Sequence, residues 1–162
     1  MSLSKFESEV KHLPQPAEAA YEQFSNLLHL QALKDKLDDP NVAAQVAAQV
    51  PEDKLEEVKK YVKDITFDRD SIRLNSPVGQ LELRIVERDP KCIKLASEGS
   101  LIPLYVWIQI LPEGNTGSKM KVTVGAEVNF FMKGMVAKPL QQAAEGLASI
   151  LAASMQRPAP TA

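Results

Sequence analysis

The stretch Phe130–Ser154 reads FFMKGMVAKPLQQAAEGLASILAAS. Met132, Met135, Val136, Pro139, Leu140, Ala143, Leu147, Ile150 and Leu151 recur at steps of three and four, while Lys133, Lys138, Gln141, Gln142, Glu145 and Ser149 fill the remaining arc. That spacing predicts an amphipathic helix, because residues three and four apart share one face. At about 1.5 Å per residue it would extend roughly 36 Å, the length of a ten- or eleven-residue strand at about 3.3 Å per residue. A helix of this kind needs a sheet of similar length to cover its apolar side. Pro139 lies inside it, where the missing N–H and the clash with the carbonyl of Met135 predict a kink, with Gly134 nearby to relax the backbone.

The sheet is legible immediately upstream. From about residue 62 to 129 the apolar period is two, and six strands are predicted at 62–67, 71–75, 79–88, 92–98, 103–111 and 119–127. The links between them are short and rich in turn formers: Asp68-Arg69-Asp70, Ser76-Pro77-Val78-Gly79, Asp89-Pro90-Lys91 and the run 112–117. Short links join antiparallel neighbours, so these strands should form a meander. Leu81, Leu83 and Ile85 alternate with Gln80, Glu82 and Arg84; Ile93 and Leu95 flank Lys94; Met120, Val122, Val124 and Ala126 alternate with Lys119, Lys121, Thr123 and Glu127. The strand 103–111 is apolar on both sides. Folding the last hairpin about residue 115 sets Val106 and Ile108 beside the inward valines and turns Tyr105, Trp107 and Gln109 outward; a slip of one residue would reverse this.

Residues 3–13 alternate as well, with Phe6, Ser8 and Val10 on one face and Lys5, Glu7, Glu9 and Lys11 on the other, which predicts one long strand. Pro14 and Pro16 end it. Two short helices follow, 17–28 and then a segment carrying Leu30, Leu33 and Leu37, with a bend near Ser25 and Asn26. The segment 40–60 is expected to be a helical insert: Val42, Val46 and Val50 form a ridge among alanines, and Pro51, Glu52 and Asp53 suit a new first turn. Residues 1–155 therefore read as a single domain, and the Pro-containing end 156–162 as a disordered tail.

Bulk properties exclude several functions. A formal charge of -2 offers no electrostatic reason to bind nucleic acid, and no apolar run approaches the length of a membrane span or signal peptide, so a cytoplasmic protein without integral membrane association is expected. One cysteine, Cys92, allows no internal disulfide, and two histidines, His12 and His29, supply a metal site or an activated nucleophile poorly. No metal and no cofactor are expected. Among carboxylates, Glu82, Glu127 and Glu145 fall on wet faces, whereas the parity of Glu87 places it with Leu83 and Ile85 at the rim of the interior. Met120, Met132 and Met135 cluster with Phe130 and Phe131 where the last strand enters the helix, a composition that suits either an adaptable apolar pocket or a filled core.

The first strand, then PQPAEAAYEQFSN at 14–26, then VWIQILPE, KMKVTVGAEV and the final helix together resemble the helix-grip fold of the START and birch-pollen-allergen superfamily, also called SRPBCC or polyketide-cyclase-like. Members of that superfamily place P-x-E-x-x-[YW]-x-x-[LF]-[ST] at the first helix. The resemblance covers residues 3–154, and the Val42 ridge departs from its simplest pattern. It implies an α+β fold: a seven-stranded curved antiparallel sheet wrapped around a long C-terminal helix, with two short helices after the first strand. It also implies an apolar cavity between sheet and helix. The ligand-binding set expected there is Leu81, Leu83, Ile85, Leu95, Val106, Ile108, Val122, Val124, Met132, Met135 and Val136, and no catalytic residue is assigned. The partner expected is a small hydrophobic molecule or lipid that the chain carries. Two other readings stay open at this point. One is a cyclase-like or hydrolytic enzyme using the same cavity; the other is an interaction module with a packed interior, homodimeric through Tyr105, Trp107 or the Val42 ridge.

Overall fold

The computed structural model describes residues 2–35, 65–76, 79–97 and 102–155, with isolated positions between 39 and 60. The predicted insert falls largely outside these residues, and the tail 156–162 wholly so. The described elements are β1 (Ser2–Glu7), β2 (Lys11–Leu13), α1 (Ala17–Phe24), α2 (Leu28–Asp35), β3 (Thr66–Phe67), β4 (Ser71–Ser76), β5 (Gly79–Asp89), β6 (Cys92–Ser97), β7 (Leu104–Glu113), β8 (Gly117–Val128) and α3 (Phe130–Ser154). All strands belong to one antiparallel sheet in the order β1-β8-β7-β6-β5-β4-β3, with β2 also pairing β8. The meander and the terminal helix stand where the periodicity predicts them.

The last hairpin folds about residue 115, as its alternation requires. Val106 pairs with Val124 and Ile108 with Val122, and the turn closes through Gly114, whose φ of 66° is the left-handed conformation a glycine adopts freely. All four of those apolar side chains are buried, and so are Leu81, Leu83, Ile93, Leu95 and Met120. They cover α3, which packs against β8, β1, β2 and α2.

The sheet has eight strands where seven are predicted, because the long first strand is interrupted. Residues 8–10 leave the ladder and the face of the strand switches: Lys11 and Leu13 point inward, and Val10 is exposed. A lost ladder leaves backbone groups that must find partners elsewhere, and here three side chains supply them. The Ser8 hydroxyl accepts from the N–H of Val122 at 2.9 Å and donates to the carbonyl of Glu9. The Glu9 N–H donates to Glu145 Oε1 at 2.6 Å, and Gln141 Nε2 donates to the carbonyl of Glu7 at 2.6 Å. The break is thus stitched by two residues of α3.

A second bulge lies in β5, where the register shifts between Ile85 and Glu87 and Val86 is 58% exposed. It moves Glu87 opposite Lys94, on the outer face beside Trp107, and not to the rim of the interior as its parity predicts. Arg88, one residue on, reaches back to the carbonyl of Ser25 at 3.1 Å and to the Asp70 carboxylate, tying the bend between α1 and α2 to the β3–β4 turn. That bend is further held by Asn26 Oδ1, which accepts from the Leu28 N–H at 3.1 Å.

The helix is less uniform than its sequence pattern. α3 starts at Asn129, whose side chain accepts from the Met132 N–H at 2.8 Å, and runs through Pro139 without interruption. Phe130 and Phe131 are 87% and 88% exposed. From Leu140 onward nearly every position is covered. Ser149, expected on a wet arc, is buried and satisfies its hydroxyl on the carbonyl of Glu145 at 2.7 Å.

Candidate functional site

The concave side of the sheet and α3 meet along an apolar seam. Leu95, Val106 and Ile108 come from the sheet, and Leu147 and Leu151 from the buried half of α3. Leu27 and Leu30, held by the bend after α1, close it from above with Phe67 and Ile72. The volume left between them is about 10 Å³. That is at or below the minimum for one water molecule, roughly 10–15 Å³, so the seam is dry and closed.

Of the residues expected to line a cavity, Leu95, Val106 and Ile108 face this seam, and Leu81, Leu83, Val122, Val124 and Val136 are buried in the surrounding core. Ile85 and Met132 are half-buried and pack against that core. Met135 is 55% exposed and turned to solvent, which corrects its expected place in the lining. The physical reason is angular: Met132 and Val136, four residues apart, form the ridge that meets the core, and Met135 stands about 100° around the helix from Val136. Leu147 and Leu151 were legible as core but not as the side chains that close the seam; that depends on where α2 lands.

One charged pair points inward. Lys11 Nζ lies 3.7 Å from Glu145 Oε2, with side-chain exposures of only 5% and 16%. Glu145 was expected on a wet face; it is drawn inside by the strand break at residues 8–10, which turns Lys11 and the Glu9 N–H toward it. The histidines stand outside this arrangement. His12 Nδ1 lies 2.8 Å from Glu113 on the exposed β7–β8 hairpin, and His29 is exposed. Among the described residues no group of three or more His, Cys, Asp or Glu side chains could hold a metal ion, and no helix is long and apolar enough to cross a membrane.

The outer face carries an aromatic and basic strip. Tyr105 and Trp107 sit with ring centroids 5.8 Å apart, Lys5 lies 5.3 Å from the Trp107 centroid, and Lys94 lies 5.2 and 5.8 Å from the two rings. Gly125 makes room for the indole: a Cβ there would stand 2.7 Å from Trp107 Cζ3 and 3.2 Å from Leu3 Cδ1. Gly125→Ala is expected to displace the ring at a cost of about 1–3 kcal/mol. The single tryptophan makes this readable as a red-shifted emission maximum together with a lower urea midpoint; an unchanged spectrum would mean that the ring has space to yield. Nearby, burial pushes the Cys92 thiol up, the charges of Glu87 and Asp89 act in the same direction, and Lys94 opposes them. The thiol form therefore persists to higher pH than in an unfolded chain. Iodoacetamide labelling of the folded protein should reach half its limiting rate at a higher pH than labelling in urea, and coincident midpoints would contradict this.

Neither a protein-family profile nor a curated protein matches the chain. Solved structures do. A truncated norcoclaurine synthase from Thalictrum flavum superposes with a TM-score of 0.54 over 93% of this chain and 92% of that one, at 10% identity. The fold is a helix grip. A second helix-grip structure, norcoclaurine synthase from Thalictrum flavum in complex with dopamine and hydroxybenzaldehyde, gives a TM-score of 0.50 over 93% of this chain and 87% of that one, at 12% identity. A START superfamily protein from Mycobacterium smegmatis gives 0.49 over 92% and 96%, at 10% identity. At such identities the helix grip is shared as architecture, and activity does not transfer with it.

Proposed function

We propose that the chain binds a small hydrophobic molecule between the concave face of its sheet and α3. The observation that supports this reading is the seam itself: among the described residues, sheet, α2 and helix meet there through aliphatic and aromatic side chains, and a neighbour of the same architecture was solved in complex with dopamine and hydroxybenzaldehyde. Affinity would come from apolar burial at roughly 25 cal/mol per Å², less the cost of ordering the ligand and parting the walls. The parting has a place to begin. Phe130, Phe131 and Met135 in the first turns of α3 are exposed, and Pro139 removes the backbone hydrogen bond that would otherwise join Met135 to the next turn. Helix movement there would open the seam from the end that carries Phe130 and Phe131.

The closed seam also favours a second reading, in which the interior is a solid core and the chain works through its surface. One experiment separates the two. Organic extraction of the purified protein followed by mass spectrometry, with titration of a neutral hydrophobic dye, should return a bound apolar species or a saturable dye signal. If the extract is empty and the dye does not bind, the carrier reading fails and the packed interior stands.

A further inference from the structure

A groove of about 500 Å³ crosses the outer face of the sheet, fifty times the volume left in the seam and within the range of about 300–1,000 Å³ typical of small-molecule sites. Cross-strand pairing builds its floor: Cys92 of β6 stands beside Gln109 of β7, Gln109 beside Lys121 of β8, and Leu111 beside Lys119. Val10 forms one wall, because the strand break that swings Lys11 inward turns Val10 out; Lys91, at the β5–β6 turn, forms the other. The floor and one wall are thus apolar or weakly polar, and the rim carries three ammonium groups.

The nearby carboxylates are already engaged. Glu7 takes Lys121 at 3.2 Å, Glu113 takes His12, and Asp89 accepts the backbone N–H of Lys91 at 2.9 Å. Glu87 stands across from Lys94, on the aromatic strip. Among the described residues neither Lys91 nor Lys119 forms an ion pair and the groove lining holds no carboxylate, although Asp89 stands across from Cys92 at the Lys91 end. A ligand complementary to this trough has an apolar body and one anionic end.

We propose that this groove binds a free amphipathic carboxylate, its chain lying over Leu111, Val10 and Cys92 and its head between Lys91 and Lys119. This site is separate from the concave seam and does not depend on it. The trough buries the chain and the two ammonium groups hold the carboxylate by charge-assisted hydrogen bonds, so binding needs both parts.

Cys92 is the only cysteine, so its alkylation reports the groove and nothing else. The test uses the intact chain with decanoate as probe, decan-1-ol as its uncharged counterpart, calorimetry for binding and iodoacetamide labelling for position. At decanoate ten times above its Kd, labelling should slow about tenfold by mass action, and decan-1-ol at the same concentration should protect much less. The double variant Lys91→Glu/Lys119→Glu should abolish protection without moving the urea midpoint, because both side chains lie at the surface; Lys91→Gln/Lys119→Gln serves if charge reversal disturbs folding. Decanoate that binds by calorimetry yet leaves the labelling rate unchanged would place it elsewhere and overturn the proposal, as would protection that survives in both double variants. Protection by phosphatidylserine vesicles but not by free decanoate would overturn the assignment to a free ligand. Copurification of an apolar species in the seam should be the same in wild type and variants, so failure here is distinguishable from failure there.

Discussion

Replacing Glu145 by alanine is expected to destabilise the protein by about 3 kcal/mol, the low end of what breaking a buried ion pair costs. The loss has two parts. Lys11, only 5% exposed, would lose the carboxylate 3.7 Å away, and the Glu9 N–H would lose the acceptor that replaces its ladder partner. Removing both charges together is a different matter. Lys11→Met/Glu145→Leu should recover the part of the loss that comes from a buried charge without its partner, while the part that comes from the Glu9 N–H remains. Urea denaturation of the two single variants and the double variant closes the cycle, and additive losses would show that the residues act independently.

The second large effect is expected at Leu151, which is 1% exposed and lines the seam from the helix side. Leu151→Ala should cost about 2–5 kcal/mol, the range for a leucine deleted from a core that cannot fully collapse. It should also enlarge the 10 Å³ void into an apolar cavity, which stays dry and accepts small aromatic molecules. Benzene or an equivalent aromatic is therefore expected to raise the urea midpoint of the variant in a concentration-dependent way. The wild type is informative beside it. If the wild type is stabilised too, its seam opens on binding; if only the variant responds, the native interior is solid and the carrier reading is lost.

Much of this architecture was legible because alternation and turn chemistry agree. Val122, Val124, Val106 and Ile108 could be paired from sequence, since a hairpin centred on residue 115 is the arrangement that puts all four on one face. What stayed hidden were single-residue interruptions. Ser8, Glu9 and Val10 continue a perfect alternation, yet the strand breaks there and reverses its faces; no local pattern distinguishes that break, because its cause is a set of partners on α3 more than a hundred residues away. Val86 does the same to Glu87. The candidate site suffered accordingly. Its sheet residues were found from parity, Met135 was placed inside although it lies off the ridge that Met132 and Val136 turn to the core, and Leu147 and Leu151 were not singled out because only the position of α2 makes them the closing side chains.

The pairing of Ser2 with Val128 and of Lys11 with Met120 also sets the order in which the molecule assembles. Strands β4 to β8 follow one another through short turns and can zip up locally. β1 and β2 can join only after β8 is in place, closing a loop of more than a hundred residues whose entropy cost grows as about (3/2)RT ln n. Folding should therefore start in the meander, around the β7–β8 hairpin, and end when the N-terminal strands dock and complete the cover over α3. Slow refolding phases are then expected to respond to substitutions in residues 2–13 more than to equally destabilising ones in the meander.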